Sequence, residues 1–546
     1  MAASAWTFGC GRPCSETCSA TSASSTTPSC LARRRSRPFE AVRGRPSSSD
    51  RPIPGRGRVV SRRMSKPPRS QPARRQPPLS KPPRSQPARN QPARRQLPPG
   101  GPMRTTVNIP EVAIDGRVAR TIAILGAGGD LTERFLLPGI ARVVDASPEV
   151  EVHVIGAART AQSRDEWRGV VERSLEGAGV SQATIDGLVS RSEFVQTDAS
   201  SADELRELLE ECPSSPLLYI ALPPAMGRKV AAALAELELP DDLRIAIEKP
   251  FGENEADARE LNRALAEVIP EERLWRIDHF LGTPTAVELI RSRELIEQSG
   301  VVRPHAAGEH GGAGPGPHAG PGRVEIIFEE ELGIEGRGAF YDETGALRDM
   351  LQSHLLLILA LAAMEHPGEH AGAVGDAVAE VLRAVKVWDD SPVSARRARY
   401  TAGEVGGKRL PAYVDEEDVD VARNTETLAE ITLRVDTPRW RDVPFVLRSA
   451  KGIGGARQEM ILTPGDDGTP PTRIQLRAPA GDNSADPYAR VIAGMLAGNT
   501  LLSVRGDVAE ELWRIVTPVL DAWEQDTKGD TKGLDEYAAG TRGSEV

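Results

Sequence analysis

Short apolar runs alternate with amphipathic stretches through the region that begins near residue 117. β-Branched and other apolar residues fill each run, as in buried strands. Helical periodicity separates them at 165–175 and 226–238. Strands separated by helices predict βαβ units and a parallel sheet. The runs are "ARTIAILGAGGDL" (119–131), "EVHVIGAAR" (151–159), "LLYIALPPAM" (217–226) and "LRIAIEKPFG" (243–252).

The pattern changes after residue 298. Residues 299–322 are rich in Gly, Pro, Ala and His, which predicts a low-complexity loop. Regular alternation resumes at "RVEIIFEEEL" (323–332). The longest apolar run, "LLLILALAAM" (355–364), is shorter than the roughly 20 residues that cross a bilayer. We therefore expect it to be a buried helix, and we expect no membrane partner.

The first apolar run ends in a glycine turn. Gly126, Gly128 and Gly129 follow it, with Asp130 at the start of a helical pattern. Glycines let a backbone approach a pyrophosphate, and a helix N-terminus offers N–H groups to it. The spacing G-x-G-G is not the full dinucleotide fingerprint, so a plain strand–turn–helix is an equal alternative.

The second apolar run ends in Arg159, with Arg164 close by and no acid until Asp165. An NAD site favours an acid here for the ribose hydroxyls, whereas a cation suits the extra phosphate of NADP. The alternative is a solvated surface arginine. In parallel sheets ligands bind beyond the carboxyl ends of the strands, and Lys249 lies at one such end.

Charge divides the chain into two parts. Residues 1–104 contain 22 Lys/Arg and 3 Asp/Glu, whereas the whole chain has a net charge of -10, so the remainder carries -29. An acidic body argues against a nucleic-acid partner. Of five cysteines, only Cys212 lies in the body. A single cysteine there predicts a reducing compartment, and we expect a cytoplasmic protein.

The basic segment 1–104 is rich in Pro, Arg, Ser and Gln, and "SKPPRSQPARRQ" (65–76) recurs as "SKPPRSQPARNQ" (80–91). Such a composition buries too little apolar surface to offset the entropy of ordering. Three interpretations stay open: a disordered extension, a targeting peptide, or translated upstream sequence with the start at Met103. The cysteines here (Cys10, Cys14, Cys18, Cys30) fit no zinc spacing, and His305, His310 and His318 are read as low-complexity drift, so we predict no metal site.

Several blocks of this sequence, in order, resemble the glucose-6-phosphate dehydrogenase family, of which the chain looks like a divergent member. The resemblance runs from about residue 120 to about 540. It implies an α/β Rossmann-like NADP-binding domain (117–283) followed by an α+β substrate and oligomerisation domain with a large, mostly antiparallel sheet (284–541). The blocks are "GAGGDLTERFLLP" (126–138), "AIEKPFG" (246–252), "RIDHFLG" (276–282), "FYDETGALRDMLQSHLL" (340–356), "AAMEHP" (362–367), "VPFVLRSAKG" (443–452) and "DEYAAG" (535–540).

The resemblance also implies a reaction. The family oxidises D-glucose 6-phosphate at C1 to 6-phospho-D-glucono-1,5-lactone with NADP, the first step of the oxidative pentose phosphate pathway. The base would be His354, and Asp278 would be its carboxylate partner. Because neighbours on a strand alternate faces, His279 should point away from His354, toward the sugar phosphate. The family further implies dimers or tetramers.

Other residues take roles through the same matches. Lys249 would contact both substrate and cofactor, and the bond before Pro250 could be cis. Glu330, Asp349 and Lys451 would bind the sugar. The nucleotide would be bound by Gly126, Gly128, Gly129, Asp130, Leu131, Arg159 and Lys249.

The sequence departs from the family at the phosphate end of the substrate. Phe280 replaces a tyrosine and Thr283 replaces a lysine. The cations left to bind the phosphate together with His279 are then Lys249, Lys451 or Arg457. Phe135 replaces a lysine in the glycine-turn helix, and Ser353 an asparagine before the base. Two alternatives therefore remain: a dehydrogenase of another sugar or sugar phosphate, and a weakly active nucleotide-binding paralogue that assembles with a true dehydrogenase.

Overall fold

The first sheet is parallel and has the strand order β3-β2-β1-β4-β5-β6. In this computed structural model the described residues are 120–302, 322–368, 372–391, 395–465, 468–477, 486–529 and 534–543. The order is that of a Rossmann-type sheet, as the apolar runs predict. Its strands are β1 (Arg120–Leu125), β2 (Val152–Ala158), β3 (Ser192–Gln196), β4 (Pro216–Ile220), β5 (Arg244–Glu248) and β6 (Leu274–Ile277).

Helices cover both faces of this sheet, so its strands are largely buried, except for the edge strand β3. Local sequence determines where they begin: Ser163 and Glu166 form a capping box at the start of α2, in which each side chain accepts a hydrogen bond from the backbone N–H of the other residue. Gly156 in β2 leaves room for the fully buried Trp167 of α2, since a Cβ at Gly156 would lie 2.6 Å from the indole. The helices are α1 (Leu137–Ala146, after a π-helical turn Thr132–Leu136), α2 (Arg164–Leu175), α3 (Gln182–Ser190), α4 (Ala202–Glu210), α5 (Pro224–Leu234) and α6 (Glu255–Val268).

The second sheet is mixed and mostly antiparallel. Its order is β15-β14-β7-β13-β12-β9-β16, and β8 pairs with β12. Within the described ranges, the parallel pairs are β13 with β7 and β16 with β9. A separate two-stranded hairpin consists of β10 (Gly403–Val405) and β11 (Lys408–Leu410). The strands of the second sheet are β7 (Arg323–Glu329), β8 (Val385–Val387), β9 (Ala395–Thr401), β12 (Leu428–Val435), β13 (Phe445–Ala450), β14 (Gln458–Thr463), β15 (Thr472–Gln475) and β16 (Asp535–Ala538).

Helices between and after these strands complete the fold. Helix α12 packs against α1, one of the helices that cover the first sheet. The contact is close, since a Cβ at Gly139 of α1 would lie 2.8 Å from Ile492 of α12. The two sheets therefore share one apolar core. The helices are α7 (Pro284–Arg291), α8 (Glu294–Gln298), α9 (Gly338–Ala346), α10 (Leu356–Ala363, after a π-helical segment Leu347–Leu355), α11 (Ala373–Ala384), α12 (Pro487–Ala497) and α13 (Gly506–Gly529).

The long apolar run forms a buried helix, as predicted. By length and composition alone, the continuous helical stretch Gly338–Ala363 could cross a membrane, but 94% of its most apolar window is buried inside the protein. Protein side chains therefore surround it. Truncation of a fully buried leucine such as Leu359 would cost about 2–5 kcal/mol.

Part of the predicted low-complexity loop is instead packed. Val301 and Val302 are buried, and Gly322 approaches the carbonyl of Val301 so closely that a Cβ would lie 2.6 Å from it. These ends are turns and bends that pack closely, because two adjacent valines bury apolar surface beside the second sheet. Residues 303–321 lie outside the described residues, and so does the basic segment 1–104.

Candidate active site

The predicted site residues meet at the carboxyl ends of the first sheet. Gly126 follows β1, Lys249 follows β5 and Asp278 follows β6. Parallel strands end at one edge, so residues far apart in sequence converge there. The π-helical segment Leu347–Leu355 brings Asp349 and His354 to the same edge.

The glycine turn after β1 is shaped by close packing. Gly126 has φ +96°, and a Cβ on it would lie 2.3 Å from the carbonyl oxygen of Ala221. Thr132 donates its hydroxyl to the carbonyl of Gly126 at 3.1 Å, which fixes the start of the following helix. At Gly128, by contrast, an added Cβ would meet nothing closer than the side chain of Gln162 at 4.0 Å. The turn is thus tight on its inner side and open on its outer side, which fits a phosphate cradle.

The other residues predicted to bind the nucleotide differ in how accessible their side chains are. Leu131 is a buried core side chain, so only its backbone could meet a ligand. Asp130 pairs with Arg134 at 3.8 Å. Arg159 is exposed directly after β2, whereas Arg164 pairs with Glu193. Arg159 is therefore the better placed of the two arginines to meet a ribose phosphate.

His354 and Asp278 form a buried pair. Nδ1 of His354 lies 2.6 Å from Oδ1 of Asp278, and both side chains are at most 1% exposed. Burial opposes ionisation of Asp278, but the charge of His354 and its hydrogen bond outweigh burial and hold the pKa of Asp278 at about 2. Burial lowers the pKa of His354, against the opposing effect of Asp278. A carboxylate can only accept, so Nδ1 carries the proton and Nε2 presents a lone pair.

The turn after β6 corrects the prediction for His279. The strand ends at Ile277, and residues His279–Gly282 form a 3₁₀ turn that Asp278 caps, with Phe280 N–H donating to Oδ1 of Asp278 at 2.9 Å. Strand alternation therefore does not apply. The rings of His279 and His354 lie 4.7 Å apart, edge to face, so the expectation that His279 points away from His354 is wrong.

Aromatic rings surround the two histidines. The ring of Phe280 stacks on His354 with centroids 4.1 Å apart, and that of Tyr488 stacks on His279 at 5.5 Å. Burial, and then the charge of His354, place the pKa of His279 well below its usual range. Asp278, His279 and His354 each have an atom that could ligate a metal ion, and these atoms lie within 4.8 Å of one another. Nδ1 of His354 and Oδ1 of Asp278, however, are at hydrogen-bond distance from each other, an arrangement that suits proton transfer.

Two lysines and two carboxylates make up the predicted sugar side. Lys249 donates to the backbone carbonyl of Asp349 at 2.6 Å and to its carboxylate at 3.2 Å. Burial opposes ionisation of Asp349, but Lys249 and Lys451 together hold its pKa at about 2. Lys451 bonds to Glu330. The Lys249–Pro250 peptide bond is cis, as the resemblance suggests.

The cations expected near His279 already have carboxylate partners. Arg457 makes two bonds to Glu329, at 3.0 and 3.1 Å. Thr283 uses its hydroxyl to cap α7 and to reach the carbonyl of Phe280. Phosphate binding here would therefore compete with existing ion pairs.

One buried acid escaped the sequence-based assignment. Glu248 ends β5 and accepts a hydrogen bond from the hydroxyl of Tyr219 on β4. It lies inside "AIEKPFG", where the adjacent Lys249 draws attention instead. The signal that could have found it is its place as the last residue of an otherwise apolar strand.

Comparison with known proteins gives consistent matches over both sheets. Residues 123–287 match the model of the NAD-binding domain of glucose-6-phosphate dehydrogenase, and residues 322–464 and 463–546 match that of its C-terminal domain. The glucose-6-phosphate 1-dehydrogenase of Gluconobacter oxydans is 32% identical over 477 residues, covering 77% of this chain and 94% of the relative. The enzyme of that name from Rhizobium meliloti is 31% identical, with 77% and 93% covered.

Solved structures agree in fold. A glucose-6-phosphate 1-dehydrogenase from Mycobacterium avium superposes with a TM-score of 0.62 at 28% identity, covering 78% of this chain and 96% of that one. A glucose-6-phosphate dehydrogenase in complex with glucose-6-phosphate has a TM-score of 0.64 at 24% identity, with 79% and 96% covered, which bears on the fold alone.

Proposed function

This chain belongs to the glucose-6-phosphate dehydrogenase family, and from its site we propose that it oxidises D-glucose 6-phosphate at C1 to 6-phospho-D-glucono-1,5-lactone with NADP. The observation that carries the proposal is the buried pair of His354 and Asp278, 2.6 Å apart, with the charge of Lys249 acting on both groups. A nicotinamide dinucleotide, when bound, accepts the hydride that leaves C1.

The pair supplies the base that this oxidation needs. Nε2 of His354 takes the proton of the C1 hydroxyl while the C1–H bond breaks and the C1–O bond becomes a carbonyl. Asp278 keeps the proton on Nδ1 and stabilises the imidazolium as it forms. Because the pair is buried, its charges act at low dielectric, which strengthens that stabilisation.

Lys249, Asp349, Lys451 and Glu330 are the groups we assign to the sugar hydroxyls. Each lysine is at most 9% exposed and already holds a carboxylate in place. Oriented donors and acceptors of this kind fix the position of a ligand and cost little reorganisation when it binds.

The second candidate function is oxidation of a hexose without a phosphate. The observation that favours it is the pairing of Arg457 with Glu329, together with the capping role of Thr283. The ion pair offsets the charge of Arg457, and Thr283 supplies no charge where the family has a lysine. A phosphate at this end would therefore meet less positive charge. Comparison of kcat/KM for glucose 6-phosphate, galactose 6-phosphate and glucose separates the two candidates.

The exposed Arg159 supports NADP over NAD. Arg159→Ala should raise KM for NADP at least about tenfold, since a charge-assisted bond is worth roughly 1.5–3 kcal/mol, and should change KM for NAD little. Arg164→Ala is the matched control, because Arg164 already pairs with Glu193. Equal effects of Arg159→Ala on both cofactors would contradict the assignment.

The direct test measures absorbance of reduced nicotinamide with each sugar and each cofactor. His354→Asn should lower kcat about 10²–10⁴-fold, since it removes the base. The control is His366→Asn, at an exposed histidine outside the site. Near-full turnover by His354→Asn would refute the mechanism, and no turnover with any sugar would favour an inactive paralogue. Assembly into dimers or tetramers stays a prediction, which light scattering after gel filtration tests.

A further inference from the structure

Glu248 is a buried carboxyl group at the edge of the candidate active site. It ends β5, is 7% exposed, and pairs in register with Ile277, the residue before Asp278. It is thus one strand away from the proposed base and its partner. The proposed mechanism gives it no task.

The partners of Glu248 are neutral. The hydroxyl of Tyr219 donates to Oε1. Within the described part of the chain, Oε2 is buried and has no hydrogen-bond partner. The nearest ammonium, that of Lys249, is engaged by Asp349 instead. A buried carboxylate without a cation is costly, so the neutral acid is the favoured form.

The groups that face Glu248 come from several elements. They are Tyr219 on β4, Lys249 beyond its own strand, Asp278 after β6 and Tyr488 on α12. Burial raises the pKa of Glu248 to about 8, and the charge of Asp278 adds to this effect. The bond from Tyr219, the charge of Lys249 and the backbone N–H of Lys249 oppose it, but burial outweighs them. Burial also keeps the pKa of Tyr219 and Tyr488 well above the usual range, so both phenols stay neutral.

We propose that Glu248 is a positioning residue of this site and that it acts as a neutral acid. While Glu248 is protonated, Lys249 stays paired with Asp349, and Asp278 supplies the negative charge beside His354. The inference rests on the proposed function. When Glu248 loses its proton, a second carboxylate competes for Lys249 and repels an anionic substrate. Substrate binding, rather than the chemical step, should therefore fail at alkaline pH.

The experiment is a pH profile of kcat/KM and kcat for glucose 6-phosphate in the full-length protein. In the wild type, kcat/KM should decline above about pH 8, by about tenfold for each further pH unit, with a smaller change in kcat. Glu248→Gln should remove this decline. Tyr219→Phe should move it to higher pH, because the phenol stabilises the ionised carboxylate. Glu267→Gln, an exposed glutamate on α6, is the matched control.

A second readout does not require turnover. Infrared spectra across the same pH range should show a carboxylic-acid C=O band that disappears near pH 8 in the wild type and is missing in Glu248→Gln. A profile of Glu248→Gln that declines with the wild type, or an infrared titration that this substitution leaves unchanged, overturns the proposal. If no sugar is oxidised, the proposed function fails, and the infrared titration still decides the state of Glu248.

Discussion

The neutral state of Glu248 has a measurable effect on stability, which Glu248→Gln isolates. The substitution keeps the size of the side chain and fixes it in an uncharged form. The folded protein holds the proton of Glu248 up to about pH 8, whereas an exposed glutamate releases it near 4.5. Folded and unfolded chains therefore bind different numbers of protons between these two values.

The sign of the effect follows from that difference. The pKa of Glu248 is raised in the folded state, so its contribution is fully present below pH 4.5 and is lost as pH rises toward 8. The loss is about 1.4 kcal/mol for each pH unit. Over the whole interval it amounts to about 5 kcal/mol. Glutamine has no proton to lose, so the free energy of unfolding of Glu248→Gln, relative to the wild type, should rise by about 4 kcal/mol over the three pH units from 5 to 8.

The assay is urea denaturation at pH 5, 6.5 and 8, followed by tryptophan fluorescence. Glu267→Gln controls for the loss of one surface carboxylate, and its difference from the wild type should be small and independent of pH. A constant difference between wild type and Glu248→Gln across the three pH values would refute the reasoning, since it would mean that Glu248 is ionised in the folded protein.

Three further predictions test other parts of the site. Asp278→Asn should lower kcat about 10²–10⁴-fold at unchanged folding, because an amide cannot stabilise the imidazolium; steady-state kinetics and circular dichroism check this. Gly126→Ala should weaken both thermal stability and NADP binding, since its Cβ would meet Ala221, whereas Gly128→Ala should leave the melting temperature near that of the wild type. Thr283→Lys should raise the ratio of kcat/KM for glucose 6-phosphate over glucose about tenfold or more, at a cost of about 1 kcal/mol for the lost cap. An unchanged ratio would contradict the view that this end lacks cationic charge.

The sequence predicts the strands that are buried on both faces and misses the edge strands that expose polar residues. β1, β4 and β5 read as continuous apolar runs because helices cover both their faces. β3, at the edge of the first sheet, buries only Ser192, and β15, at the edge of the second, buries none of its residues. Edge strands with mixed polar residues carry no apolar run to detect.

The approach of His354 to Asp278 was predictable only from matched blocks. No periodicity links two residues that are 76 positions apart. The predicted orientation of His279 failed for a local reason: it required a strand that continued two residues beyond the end of β6, to His279. The chain turns there instead, and side chains in a turn do not alternate between two faces.

The state of Glu248 could not be read from the sequence, because it depends on which of its neighbours has another partner. An acid next to a lysine in "IEKP" looks like a solvated ion pair. The fold instead sends Lys249 to Asp349, 100 residues later in the chain, and among the described side chains the phenol of Tyr219 bonds to Glu248. The ammonium of Lys249 still lowers the pKa of Glu248, but by less than burial raises it. Asp349→Asn leaves Lys249 on the backbone carbonyl of residue 349 and removes the carboxylate charge that offsets its ammonium, so this substitution should shift the infrared titration of Glu248 to lower pH.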